Sequence, residues 1–169
     1  MAGYADSNGY AEKDSERKWA YKYRDFVIRA MNADQKWDEF IVQQMAGDEL
    51  VGHPYQNLTR AEADRLVATG FLRMGPDGTS AQVDLDVARN QVMAETIKIL
   101  TTSLMGLTVG CAQCHPHRYD PISHFDYYRI RALLEPAYDW KNWRAPPDRL
   151  VSAWSTETRS QAQAVERAG

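Results

Sequence analysis

The sequence predicts a mostly α-helical fold, an irregular helical domain of about five helices joined by long loops. Three observations carry that expectation. Apolar residues recur at i, i+3, i+4 and i+7 spacing in several windows. Hydroxyl–carboxylate pairs at capping-box spacing precede two of those windows. No segment shows the apolar–polar alternation of a half-buried strand.

The elements follow in order. Residues 1–14 mix Gly, Asn, Ser and Asp with two tyrosines, the composition of irregular chain. From about Glu16 a first helix presents Trp19, Tyr23, Phe26, Val27 and Ala30 as one stripe. A second helix, about Gln35 to Ala46, turns Trp37, Phe40, Ile41 and Met45 inward and stops at Gly47. After the loop 47–58, Thr59 and Glu62 form a capping box for a third helix with Ala63, Leu66, Val67 and Phe71 on its apolar face. Gly75-Pro-Asp-Gly78 is a turn. The longest helical candidate runs from Asp84 to about Leu104. It faces Val87, Gln91, Ala94, Ile97, Leu100 or Thr101, and Leu104 inward and breaks at Gly106 and Gly110. Ser123 and Asp126 cap a last helix carrying Tyr127, Ile130, Leu133 and Leu134, which Pro136 ends. Residues 137–150 are expected to be extended and aromatic, and 155–169 to be a polar tail, either frayed helix or linker. The domain itself is expected over 1–154.

Composition narrows the function. The 169 residues carry a formal charge of −3, which disfavours a nucleic-acid binder. No apolar run approaches the roughly 20 residues that span a bilayer, so no membrane insertion by this segment is expected. Two cysteines in the whole chain exclude a disulfide-rich scaffold. The first residues, MAGYADSNGY, hold no basic, apolar and small-residue succession, so no secretory signal is expected in this stretch.

The two cysteines fall at 111 and 114, directly before His115. Cys-Ala-Gln-Cys-His is the attachment pattern of c-type haem. Thiols three residues apart on one turn can each add to one vinyl group of a single haem, and the adjacent histidine then supplies the axial imidazole. Haem c is therefore the expected cofactor, with Cys111, Cys114 and His115 binding it and His115 on the iron. Three other readings of the residues stay open. One is a structural or binding module with zinc held by Cys111, Cys114 and two of His115, His117 and His124; the second is such a module with inert thiols and no metal; the third is a redox Cys-x-x-Cys pair. His117 is expected to lie off the axial side and to act through a neighbour. His53, His124, Met74, Met93 and Met105 are all candidates for a sixth iron ligand. Asp6, Asp48 and Asp120 are expected as loop carboxylates that turn the chain. No paired carboxylates, Ser/His/Asp set or phosphate-cradling glycine loop declares an enzyme, so an electron-transfer or accessory role is expected over a catalytic one.

Longer stretches extend this picture. They are Tyr4–Tyr10 (YADSNGY), Tyr23–Ala30 (YRDFVIRA), Gln44–Leu50 (QMAGDEL), Leu58–Arg60, Ala68–Phe71, Gly106–His115 (GLTVGCAQCH), His117–Ile122 and Asp126–Tyr128. On these the chain resembles the planctomycete-type cytochrome c-like domain family, a domain of unknown function with a CxxCH motif. The resemblance implies an extracytoplasmic, periplasmic setting in a large multidomain protein, with polysaccharide processing nearby. It also implies an electron donor or acceptor domain on the same full-length chain. It makes Cys111 and Cys114 the thioether sites and His115 the proximal ligand, and places His117 and Asp120 on motif positions without assigned roles. Pro116 stands where the family commonly has Asp, which would remove a carboxylate beside His115. The family's helical segment before the Tyr-Ala-Asp-Ser stretch is missing, so the chain resembles an N-terminally truncated fragment.

Overall fold

The computed structural model describes residues 4–9, 14–79, 84–152 and 155–168. Among them are six α-helices and no strand: α1 (Tyr21–Asn32), α2 (Trp37–Ala46), α3 (Arg60–Ala68), α4 (Leu85–Leu100), α5 (His124–Tyr138) and α6 (Thr156–Ala168). Short 3₁₀ turns at Thr69–Arg73, Val109–Gln113, Trp140–Asn142 and Pro146–Arg149 and a π turn at Thr101–Met105 join them. The mostly α expectation holds. Part of the expected loop before residue 14, and residues 80–83, lie outside the described residues.

The chain forms two compact units. One comprises Met1–Tyr21 with Phe71–Arg149, the other Lys22–Gly70 with Leu150–Gly169.

In the Lys22–Gly70 unit, α1 starts at Tyr21 rather than about Glu16 and buries Tyr23, Phe26 and Ala30 of the expected stripe, while Val27 is half-buried and Trp19, ahead of the helix, is exposed. Phe26 stacks on Phe40 of α2, ring centroids 5.7 Å apart. The Tyr23 hydroxyl donates to Gln44 Oε1 at 2.6 Å, so a glutamine expected on no apolar face is buried and satisfied. Phe40 is buried as expected, but Trp37, expected inward, is 57% exposed, Ile41 and Met45 are half-buried, and Gln44 joins Phe40 on the buried face. Gly47 follows α2 in right-handed geometry, with φ −62°. It is not a left-handed helix stop. A Cβ there would lie 2.1 Å from the Arg65 carbonyl oxygen, so close approach of α3 is what demands glycine. The Thr59–Glu62 capping box forms as expected, with both reciprocal bonds present. The tail is helix α6, and its first N–H donates to Asn57 Oδ1 at 2.7 Å.

In the Phe71–Arg149 unit, α4 begins where expected, and Asp84 caps it by accepting from the Asp86 and Val87 N–H groups. It buries Ala88, Val92, Met93, Thr96 and Ile97, so the face is turned relative to the expected one, and Val87 (62% exposed) and Gln91 point outward. The π turn ends the helix at Gly106, whose φ of +66° favours a residue without Cβ. Gly110 has no such need, since its nearest side-chain atom is at 3.7 Å. The Ser123–Asp126 capping box starts α5. Pro136 does not end that helix but sits in its last turn. The helix closes at Asp139 in left-handed geometry, where the N–H bonds to the Pro136 carbonyl. A proline near a helix end loses one bond and its carbonyl still accepts. Leu133, expected inward, is 79% exposed, while Tyr127, Leu134 and Tyr138 are buried. The expected extended stretch 137–150 holds the end of α5 and two 3₁₀ turns. None of the described helices is long and apolar enough to cross a membrane.

Candidate functional site

The Cys-Ala-Gln-Cys-His segment lies on the 3₁₀ turn Val109–Gln113 and the residues after it. A 3₁₀ helix has three residues per turn, so residues three apart eclipse each other. Two pairs use this. Val109 and Ala112 are both buried, at 1% and 0% exposure, and pin the turn to the core. Cys111 and Cys114 are both free and exposed. The spacing therefore puts both thiols outside, with an apolar anchor beneath them.

His115 is exposed, and its Nδ1 lies 2.8 Å from the carbonyl oxygen of Pro116. A carbonyl only accepts, so Nδ1 carries the proton and donates, which leaves the Nε2 lone pair free. A ligating histidine is commonly oriented this way, by a bond from its other ring nitrogen. The orienting acceptor that a carboxylate at 116 would have offered is supplied by the backbone of Pro116 itself.

His117 does something different. The segment 114–123 is not helical, so helix geometry does not set the ring directions. The His117 side chain is only 7% exposed. Its Nδ1 accepts from the backbone N–H groups of Asp120 (2.9 Å) and Tyr119 (3.3 Å). Nε2 must then hold the proton, which it donates to Thr108 Oγ1 at 2.7 Å. Asp120 Oδ2 lies 3.3 Å from the same Nδ1. Since Nδ1 is already an acceptor, that contact is not an ion pair. The His117 N–H also bonds to the Ile122 carbonyl at 2.9 Å. This one residue ties the loop after the cysteines back to Thr108 in front of them.

His124, the first residue of α5, directs Nε2 at the Gln113 carbonyl, 2.8 Å away, and packs edge-on against Tyr128. Both nitrogens of His117 and one of His124 are thus bonded to protein. No group of three or more His, Cys, Asp or Glu side chains among the described residues is placed to hold a metal ion. Tyr127 of α5 is fully buried, and its hydroxyl has no hydrogen-bond partner of good geometry among the described residues. Burial pushes its pKa up; the nearby Arg131 guanidinium works against that, and a Cys114 thiolate would add to it. The sequence reading used Tyr127 only as apolar filling and did not single out Thr108.

Of the other candidates, Met74 (7% exposed) and Met93 (0%) are core residues and Met105 is 56% exposed. His53 is exposed against Tyr55. Asp6 accepts from Tyr4, and Asp48 holds Tyr55 through its carbonyl, both local loop roles.

The model of the PSCyt2 family, described as a protein of unknown function (DUF1549), matches residues 1–139. The chain belongs to the PSCyt2 family. The match covers both cysteines and all four histidines, so the site described above lies wholly inside the PSCyt2 region. It supports the planctomycete-type domain of unknown function expected from the sequence. No curated protein and no solved structure matches the chain.

Proposed function

We propose that this PSCyt2 domain is a c-type haem-binding module that transfers electrons within a larger extracytoplasmic protein. The observation that carries the reading is the pairing of two free, exposed thiols, one on the 3₁₀ turn and one capping it, with a His115 whose Nδ1 is occupied and whose Nε2 is free. These residues fit the group. Cys111 and Cys114 would hold the porphyrin edge, and His115 Nε2 would bind the iron. Haem supplies a one-electron couple whose potential follows from axial ligand, burial and hydrogen bonding. The protein's own contribution is positional. Val109 and Ala112 anchor the turn, Pro116 orients the imidazole, and His117 holds the following loop against Thr108. Zinc fits less well, because His117 and His124 already spend ring nitrogens on Thr108, backbone N–H groups and the Gln113 carbonyl. The extracytoplasmic setting follows from the chemistry, since bacteria make thioether bonds to haem outside the cytoplasm. The electron partner is a neighbouring domain of the full-length chain.

Expression with export and a haem-maturation system tests the reading. The expected product is about 616 Da heavier than the bare chain and keeps its haem absorbance through acid–acetone extraction. Cys111→Ser with Cys114→Ser should lose both properties. An unmodified mass with two titratable thiols overturns the proposal, as does one zinc per chain without iron.

A further inference from the structure

A second group of side chains, outside the cysteine turn, lies within the Met1–Tyr21 and Phe71–Arg149 unit. Its centre is the indole of Trp143. Three guanidinium carbons lie within 6 Å of that ring's centroid: Arg73 and Arg149 at 5.5 Å, and Arg89 at 5.9 Å. Arg73 also covers the Tyr138 ring at 3.9 Å, and Tyr138 and Trp143 stack with centroids 5.6 Å apart. Three chain segments, around residues 73, 89 and 138–149, bring these groups together.

The donors there outnumber the acceptors. Arg73 Nη1, Arg89 Nε, Arg149 Nη2 and Trp143 Nε1 are all buried with no hydrogen-bond partner among the described residues. Arg17 Nη1 is a fifth, and Arg17 is close enough to Arg149 to feel its charge. The nearby acid is Asp77, 4% exposed, and both its oxygens are spent: Oδ1 on Thr79 and Oδ2 on Arg149 at 3.1 Å. Arg89 has only the exposed Asp86, at 3.6 Å. Arg73 forms no salt bridge among the described residues. Burial, foremost, pulls its pKa down to about 10, with Arg149 and Arg144 adding repulsion against Tyr138 and Asp77. Arg73 is still charged at neutral pH, and a buried charge without a partner is costly.

We propose that Arg73, Arg89 and Arg149, gathered on the Trp143 indole, form a binding site for an acceptor-only oxyanion, either sulfate or a carboxylate group. The choice follows from the unsatisfied atoms. Every one is an N–H donor and none is an acceptor. Sulfate and carboxylate bring only acceptors, whereas hydrogenphosphate carries an O–H that would need an acceptor of its own. Guanidiniums pair with oxyanions through charge-assisted bonds, and the aromatic rings beneath them hold their planes in place. The site is independent of whether Cys111 and Cys114 carry haem.

Calorimetric titration of the full chain at fixed ionic strength tests this, with sodium sulfate, acetate, hydrogenphosphate and chloride as separate ligands. Saturable binding of sulfate or acetate is expected, and which of the two binds tighter separates an inorganic anion from a carboxylate-bearing ligand. Hydrogenphosphate should bind more weakly, and chloride should give no saturable heat. Arg73→Met should abolish the binding. Trp143→Phe keeps a stacking ring but removes the indole donor, and should weaken binding about tenfold; it serves if Arg73→Met does not fold. Absence of saturable heat for both sulfate and acetate overturns the proposal. So does unchanged affinity in a folded Arg73→Met chain, or in Trp143→Phe. Hydrogenphosphate binding as tightly as sulfate overturns the acceptor-only assignment.

Discussion

Replacing His117 with alanine separates a residue that holds the cysteine loop from one that binds a metal. The His117 ring makes two well-formed bonds, to Thr108 Oγ1 at 2.7 Å and from the Asp120 N–H at 2.9 Å, and a weaker one from Tyr119 at 3.3 Å. A typical intramolecular hydrogen bond contributes about 0.5–1.5 kcal/mol net, so the two good ones contribute about 1–3 kcal/mol to closing the loop. If the loop opens locally, the Asp120 amide in His117→Ala should exchange about 5- to 150-fold faster. Hydrogen exchange over residues 116–122 measures this directly. His117→Asn offers a carbonyl oxygen near the position of Nδ1 but cannot reach Thr108. It should recover about one bond's share, roughly 0.5–1.5 kcal/mol. In haem-loaded protein, His117→Ala should leave the iron's ligand spectrum unchanged, while His115→Ala should alter it. Unchanged exchange at Asp120 would refute the anchoring role, and loss of iron or zinc from His117→Ala would make His117 a ligand.

Two further outcomes follow from the packing and the charges. Gly47→Ala should destabilise the Lys22–Gly70 unit by about 1–3 kcal/mol, because its Cβ meets the Arg65 carbonyl at 2.1 Å and the Gln43 carbonyl at 2.4 Å. An unshifted urea midpoint would show that α2 and α3 do not approach so closely. Burial alone would raise the Asp77 carboxyl, but hydrogen bonds from Thr79 and the charge of Arg149 outweigh it and hold the pKa below its ordinary 3.8. A depressed carboxyl adds stability above its unfolded value, and that stability is lost as pH falls through the folded value. Acid unfolding of Asp77→Asn should therefore show a shallower loss of stability below about pH 4 than the parent chain. Identical curves would remove Asp77 as a contributor.

Helix positions were legible in the sequence where local signals acted alone. Thr59 with Glu62 and Ser123 with Asp126 close capping boxes at the expected residues, because a box needs only neighbours three apart. Which face each helix buries was less legible. Trp37, Val87 and Leu133 are exposed although large and apolar, while Gln44 and Thr96 are buried. The buried pair depends on partners far along the chain, Tyr23 for Gln44 and Tyr138 for Thr96. Periodicity cannot see a bond across 21 or 42 residues, so it assigns those faces to the nearest apolar side chains. At the site, the cysteine spacing was informative because i, i+3 on a 3₁₀ turn is itself local. The anchoring role of His117 was not, since it depends on Thr108 lying opposite. The arginines around Trp143 come from separate segments, and no window of sequence holds them together.

Helix α5 links the two sites. His124, Tyr127, Arg131, Leu134 and Tyr138 follow one another at alternating three- and four-residue steps, which is a single helical stripe. Each does separate work along it. His124 holds the Gln113 carbonyl at the end of the cysteine turn. Tyr127 fills the core, fully buried. Arg131 bonds to Asn90 of α4 and lies 5.6 Å from the Trp140 ring. Leu134 is core, and Tyr138 donates to the Leu72 carbonyl while carrying Arg73 on its face. Hydrophobicity alone shared Tyr127 and Leu134 with this stripe but diverted it through Ile130 and Leu133, since four of its five members are polar or aromatic. Yet the polar groups are what make it directional: an apolar face tolerates small rotations, whereas His124, Arg131 and Tyr138 each need one partner atom. The Ser123–Asp126 cap that starts α5 therefore sets the register of the cysteine turn at one end and of the arginine cluster at the other.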